Sequence, residues 1–393
     1  MICLETQHFK LNRLFLLAIG LWPHEKSMLA QIQFIILFGI LTTFIAFQFT
    51  TFITSNCTTD LIIKVLSSAF FFICLAIKYN SFWINADTIR FSLEQLQHAC
   101  NELTNRNEIA IIEKYSRIGK FQTTAIAIFG MFSISAFLIM SIWPHILGAI
   151  QPMNISRSRP AMQIPTEYFV DQEKCSYLIL LHTTAASCIG ATAMVATGTM
   201  LIAYLKHICG MLSIASYRIE KAMAINMQQN INQEKIIIIY KGIICAVDIH
   251  RKATKFSQVL IKSFEGSFFF LIAAGMVCLS STLVQIALYN DTVEQLLLPL
   301  MFISVLYIYM FLSNYTAQEV TDHNEYVFAT VYNVQWYMAP LHIQKMMLFL
   351  LQKGTKAFHI ILGGIFIASM ESAATLMGTS ISYFTVLYST WQN

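Results

Sequence analysis

The polar residues that could do chemistry in this chain are few, and the most conspicuous set lies in its last apolar run. Between Ala357 and Thr390 one carboxylate, Glu371, interrupts an otherwise uncharged stretch of helical length. Beyond it Thr379, Ser382, Tyr383, Val386 and Thr390 fall at steps of three and four, which places them on one face of a helix. A stripe carrying hydroxyls can line a water-filled path. Small polar residues also let helices pack closely in lipid, and from the residues alone packing is the simpler reading. An intramembrane carboxylate is a functional candidate by default, unless it marks the edge of a span. A span of about 20 residues counted back from Thr390 reaches Glu371, so the carboxylate is expected at the membrane boundary. Ala357–Met370 is then expected to pack below the membrane as an anchor.

Other reactive groupings are missing. The nine cysteines include no Cys-x-x-Cys pair, and the ten histidines show no metal-ligand spacing. There is no phosphate loop and no dinucleotide fingerprint. Neither a catalytic residue, a metal nor a cofactor is indicated, and an enzyme is not expected.

The elements that must position these residues follow from composition. Of 393 residues 56% are hydrophobic and only 12% charged, whereas soluble domains carry roughly a quarter charged residues. The expected class is an all-α polytopic membrane protein. A net charge of +4, with dispersed basic residues, excludes nucleic acid as a partner. Apolar runs predict spans at Phe34–Ile53, Leu61–Tyr79, Phe121–Trp143, Tyr177–Leu205, Ser267–Leu288 and Leu296–Leu312, with the closing run as a seventh. Lys64 and Lys78, near the ends of the second run, are expected to snorkel to the surface. Leu14–Trp22 is too short to span.

Seven spans put the termini on opposite sides of the membrane. With the N-terminus cytosolic, 20 of the 25 Lys and Arg fall in inside segments and three, Arg157, Arg159 and Lys174, fall outside. Glycosylation sequons at Asn56, Asn154 and Asn290 land in the outside loops, while a fourth at Asn314 falls at the inner end of the sixth span. The expected topology is therefore N-terminus inside and C-terminus outside, opposite to a G-protein-coupled receptor. That class is further disfavoured because the chain lacks Asp-Arg-Tyr after the third span and Asn-Pro-x-x-Tyr in the last. Cys57 and Cys175 would both face the oxidising side, where they could pair.

The chain divides into an N-terminal cytosolic segment, 1–28, six spans over 29–312, a cytosolic region at 313–356, and a closing anchor and helix at 357–393. Apolar residues at helical spacing, such as Leu93, Leu96, Leu103, Ile219, Met223 and Ile237, predict that helices flanking the spans continue into the cytosol and pack there. Four prolines in 144–176 predict an irregular outer loop with little helix. A secondary transporter is the competing class, but there is no internal repeat and there are few intramembrane charges.

Residues 313–393 resemble the insect odorant receptor family. The likeness rests on Ala329, Tyr332 and Trp336, on Ser369-Met370-Glu371, and on Ser382-Tyr383-Phe384-Thr385-Val386-Leu387. Gly20-Leu21-Trp22-Pro23, His207-Ile208-Cys209-Gly210 and Arg218-Ile219-Glu220 fit as well. Lys353-Gly354-Thr355 departs from the family, which often has a proline-containing turn there. The Gln-Phe that closes gustatory receptors is missing, as is the long insertion of the odorant coreceptor, so the chain looks like an odour-tuning subunit.

The resemblance implies a ligand-gated, non-selective cation channel in the plasma membrane of a sensory dendrite. It would assemble as a heterotetramer with the coreceptor, gated by a small hydrophobic odorant without a G protein. The gate position matches Val386, with Thr390 one turn beyond and Thr379, Ser382 and Tyr383 on the pore stripe. The odour pocket is implied between the second, third, fourth and sixth helices, with candidates Phe70, Phe71, Cys74, Ala136, Ile139, Trp143, Ala191, Met194, Ser304 and Tyr307.

Overall fold

The computed structural model describes residues 9–25, 27–150, 164–171, 174–224, 233–288, 293–356 and 358–392. Charge-free runs of 20 or more residues can satisfy their backbone in lipid only as helices, and the fold is all-α. A short helix α1 (Lys10–Ala18) precedes α2 (Met28–Phe49), a single turn α3 (Thr51–Thr54), α4 (Thr59–Ile84), α5 (Ala86–Asn101) and α6 (Arg106–Ile150). Then come α7 (Ser176–Met223), α8 (Gln233–Ser263), α9 (Glu265–Leu288), α10 (Val293–Asn333), α11 (Leu341–Gly354) and α12 (Met370–Gln392). Six of these regions, Met28–Thr54, Thr59–Ile84, Arg106–Trp143, Ser176–Met223, Glu265–Leu288 and Leu296–Asn333, are long and apolar enough to cross a bilayer. At 23 residues, or about 34 Å, α12 has the length of a seventh span, but its hydroxyls lower its hydropathy below theirs.

Local chemistry sets the helix starts. Ser27 Oγ accepts from Ala30 N–H at 3.1 Å to cap α2, and Thr58 Oγ1 accepts from Leu61 N–H at 3.3 Å to cap α4. At α12 the cap is Ser369, whose Oγ accepts from Ser372 N–H at 3.1 Å. Glu371 lies exposed in the first turn of that helix, where its charge complements the helix dipole.

The most buried spanning helix is α7, which packs against α2, α4, α6, α8 and α10. Small residues allow this: a Cβ on Gly190 would lie 2.6 Å from Leu75 Cδ1, and one on Gly130 of α6 would lie 2.6 Å from Val195 Cγ2. Helices continue beyond the apolar runs as expected, and α6, α7 and α10 are the long ones. Leu93, Leu96, Leu103, Ile219 and Met223 are buried, but Ile237 is exposed and α8 instead turns Ile239 and Ile243 inward.

Polar groups fasten the helices where they extend beyond the apolar runs. Arg218 Nε and Nη2 donate to the two oxygens of Glu108 at 2.9 and 2.8 Å, and Nη1 donates to the Cys245 carbonyl at 2.9 Å. One guanidinium thus joins α6, α7 and α8. Lys206 of α7 pairs with Glu319 of α10. Arg218→Ala would strand a Glu108 side chain that is only 9% exposed. A loss of about 3 kcal/mol is expected, at the low end for breaking a buried pair because Arg218 itself is partly solvated. Thermal unfolding in detergent reads this; an unchanged midpoint would refute it. Lysine should rescue only in part, since it cannot reproduce the planar fork.

Several expectations are corrected. The outer loop is not mostly irregular at its start, because α6 runs on to Ile150. Pro144 removes one backbone donor there without ending the helix. Cys57 and Cys175 are free thiols in this structure, Cys57 exposed and Cys175 half-buried. Asn56 is exposed, and Asn154 and Asn290 lie outside the described residues. Asn314 is buried, its Nδ2 donating to the Met310 carbonyl at 2.9 Å, so no glycosylating enzyme could reach it in the folded chain.

The segment before α12 is an antiparallel hairpin, β1 (Ile361–Leu362) with β2 (Phe366–Ile367), paired as Ile361 with Ile367 and Leu362 with Phe366. Gly363 and Gly364 make its turn at φ +61° and +71°, the left-handed values that tight hairpin turns require. A Cβ on Gly363 would sit 2.9 Å from the backbone of Phe269 in α9. Gly363→Ala is therefore both strained and clashing, and should destabilise by about 2 kcal/mol or more. Loss of folded receptor in fluorescence-detected chromatography would show it. An unaffected Gly363→Ala protein would mean that the hairpin does not pack on α9.

Candidate functional site

The inward faces of α4, α6, α7, α9 and α10 do not close completely on one another. Between them runs a cavity of about 230 Å³, almost wholly apolar, which extends down to the hairpin and to Leu376 and Ser380 of α12. Phe71 and Phe72 line it from α4, and Phe71 stacks on Phe302 of α10 with ring centroids 4.1 Å apart. Ala191 and Met194 line it from α7, Phe129 and Phe137 from α6, and Gly275 and Met276 from α9. Aromatic rings, methionines and gaps left by small residues suit a compact apolar guest held by dispersion. For scale, an apolar cavity of about 150 Å³ holds benzene.

Four of the sequence candidates meet at this cavity: Phe71, Cys74, Ala191 and Met194. The other six do not line it. Phe70, Ala136 and Tyr307 are half-buried on neighbouring faces, Ser304 is exposed, and Ile139 and Trp143 are 64% and 53% exposed. The physical reason is helix phase. On α6 the inward row is Thr123, Ile126, Gly130, Ser133 and Phe137, so Ile139 and Trp143 point outward. On α10 the row is Phe302, Val305, Leu306 and Tyr309, which leaves Ser304 and Tyr307 beside it. The fifth spanning helix, α9, supplies a wall that the sequence did not assign. Its Gly275-Met276 pair inside an otherwise bulky run was the available signal.

Lys78 is also missing from the sequence candidates, and it does not snorkel. It is 4% exposed, lines the cavity, and holds its ammonium 4.5 Å from the centre of the Tyr309 ring and 5.2 Å from that of Phe268. Two aromatic faces offer an alternative to hydration, so the side chain turns inward. Lys64, the other lysine expected to snorkel, is half-buried and pairs with Asp60 at 3.1 Å.

On α12, Thr379 is half-buried and Ser382, Tyr383, Val386 and Thr390 are exposed on the single chain. Ala373, Leu376 and Ser380 face the body, packing on α9 and α10. The hydroxyls bond within their own helix. Thr375 donates to the Glu371 carbonyl, Thr379 to Thr375, Ser382 to Gly378 and Thr390 to Val386, at 2.8 to 3.0 Å. Such hydroxyls can face lipid, water or another helix without an unmet donor.

Comparison with known proteins places this architecture. The insect olfactory receptor OR5 from Machilis hrabei, in complex with eugenol, has the same fold, with a TM-score of 0.80 at 16% identity over 98% of each chain. A second structure of that receptor gives 0.78 at 16% identity, again over 98% of each chain. A search of curated protein sequences finds no significant match. The family model described as 7tm Odorant receptor matches residues 58–381, most of the chain. With that match, and with a membrane-helix architecture shared from end to end with an olfactory receptor, the chain belongs to the 7tm Odorant receptor family.

Proposed function

We propose that this chain is an odour-tuning subunit of a ligand-gated, non-selective cation channel, formed in the plasma membrane with a coreceptor. The observation that carries the reading is the shared wall. The apolar cavity is bounded by α12 itself, through Leu376 and Ser380, so a guest that fits the cavity touches the helix that bears the hydroxyl stripe. Ser280 of α9 donates to the Ser380 carbonyl at 3.4 Å, and Gln318 Oε1 of α10 accepts from Met370 N–H at 2.8 Å. Movement of α9 or α10 around a ligand is thereby passed to α12. A ligand opens the pore only to the extent that it binds the open arrangement better than the closed one.

The exposed face of α12 fits a pore wall shared between subunits, with the N-terminus cytosolic and the C-terminus outside. Val386 then lies near the outer end, where a ring of apolar side chains can stop ions by dewetting. The 313–356 region fits an assembly surface. Tyr332, Tyr337, Met338, Leu341, Leu348 and Phe349 are all exposed there, an apolar set that a lone chain would leave facing water. The eugenol-bound OR5 structure supports a small volatile as the ligand class. The test is electrical: the chain is co-expressed with a coreceptor and challenged with a volatile panel while G-protein signalling is blocked. Fast cation currents that need both chains are expected. Currents that vanish with the G-protein block would overturn the reading.

A further inference from the structure

Lys78 sets a requirement on the ligand that an apolar cavity alone would not. Among the described residues that line the cavity it is the one charged side chain, with no Asp or Glu beside it to pair with. Its other charged or ionisable companion along that helix face is Cys74, one turn away, also on the wall. The rings of Tyr309 and Phe268 stabilise the cation through their faces, but a ring face does not accept hydrogen bonds as an oxygen does. An ammonium carries three N–H donors. A buried donor without an acceptor is costly, and the cost falls when something in the cavity supplies one. The cavity is apolar over nearly all of its lining and cationic at one place. A guest that matches it is apolar along its body and anionic at one end.

Resting on the ligand cavity of the proposed function, we infer that Lys78 is the polar anchor of this site and that the receptor favours volatile carboxylic acids, bound with the carboxylate against its ammonium. A cavity of about 230 Å³ is somewhat larger than one that holds benzene, which suits a chain of roughly six carbons. The acid is held at its head by a charge-assisted hydrogen bond and along its tail by Phe71, Met194 and Phe302. An alcohol of equal length keeps the tail contacts and exchanges the ion pair for a hydrogen bond from the ammonium to an uncharged oxygen, which is weaker.

The test uses purified full-length receptor in lipid nanodiscs and radiolabelled hexanoic acid, with unlabelled hexanoic acid and hexan-1-ol as competitors. Wild type should bind the acid about tenfold or more tightly than the alcohol. Lys78→Met, close in length and apolar, should bring the acid down to or below the alcohol while alcohol binding persists, which also shows that the variant is folded. Lys78→Arg should retain the preference for the acid. A wild-type preference for the alcohol overturns the proposal without any variant, as does a Lys78→Met protein whose acid-to-alcohol ratio is unchanged. Ala191→Trp separates the two levels of argument. If it blocks both compounds while Lys78→Met changes nothing, the cavity stands and the anchor falls. If it leaves acid binding intact, the ligand is not in this cavity and both fall.

Discussion

Replacing Ala191 by tryptophan is expected to abolish the response to volatile ligands while leaving resting current and folded receptor unchanged. Ala191, half-buried, lines the cavity from the first third of α7, so a larger side chain there adds bulk to the cavity wall. The indole would occupy the volume a ligand needs. Forcing groups to overlap in a close-packed interior costs about 1–3 kcal/mol, and a displaced ligand also loses its dispersion contacts. Together these amount to about a hundredfold or more in apparent affinity. Trp143→Ala is the matching control. Trp143 points away from the cavity, so its loss should leave the dose–response curve in place. An unchanged curve for Ala191→Trp, or a large shift for Trp143→Ala, would move the ligand to another site.

Val386→Ala is expected to raise the resting cation current by several-fold and to shift ion selectivity, with little effect on folding. Val386 is 60% exposed on the single chain, so shortening it removes almost no intramolecular packing. What it removes, on the proposed assembly, is apolar surface at a constriction. Two carbons fewer per subunit reduce the free-energy penalty of wetting by about 1.5 kcal/mol, roughly a tenfold change in the closed-to-open balance as an upper limit. Coreceptor subunits that keep their own gate residues would reduce it. Recordings with and without ligand measure this directly. An unaltered resting current and unaltered selectivity would remove Val386 from the gate and leave α12 as a packing helix.

Much of the architecture was legible in the sequence because its physics is one-dimensional. A charge-free run of 20 residues in a bilayer has one backbone solution: Tyr177–Leu205 and Ser267–Leu288 fall within α7 and α9, and Phe34–Ile53 is covered by α2 and the single turn α3 apart from Thr50. A helix of about 20 residues counted back from Thr390 reaches Glu371, and α12 does begin beside it, at Met370. Direction around a helix was harder. A lipid-facing row and a cavity-facing row are both apolar, and nothing in Ala136, Ile139 and Trp143 distinguishes them from Ser133 and Phe137. Two of the three expected lining residues on α4, and none of those on α6 or α10, meet the cavity, whereas both α7 positions do; α7 is buried over most of its surface, so that most of its faces point inward.

Lys78 shows the limit more sharply. A lysine six residues from a helix end reads as a snorkelling cation until Tyr309 and Phe268, more than 180 residues away, are brought to its ammonium. The hairpin had a local signal that a helical interpretation of 357–390 passed over. Leu362-Gly363-Gly364-Ile365 sets paired glycines between apolar residues, which is a turn pattern.

The hydroxyls of α12 have a mechanical consequence. Thr375, Thr379, Ser382 and Thr390 close their hydrogen bonds on their own backbone, so turning the helix about its axis breaks none of them. Such a helix behaves like a shaft in a greased bearing. Its own hydroxyls travel with it, and what holds it to the body is the Met370–Gln318 and Ser280–Ser380 hydrogen bonds together with the shallow, non-directional contacts of methyl and aromatic groups. Swapping lipid for water or for a neighbouring chain along the exposed side leaves that internal bonding intact. A small push at Leu376 or Ser380 can therefore rotate the far end.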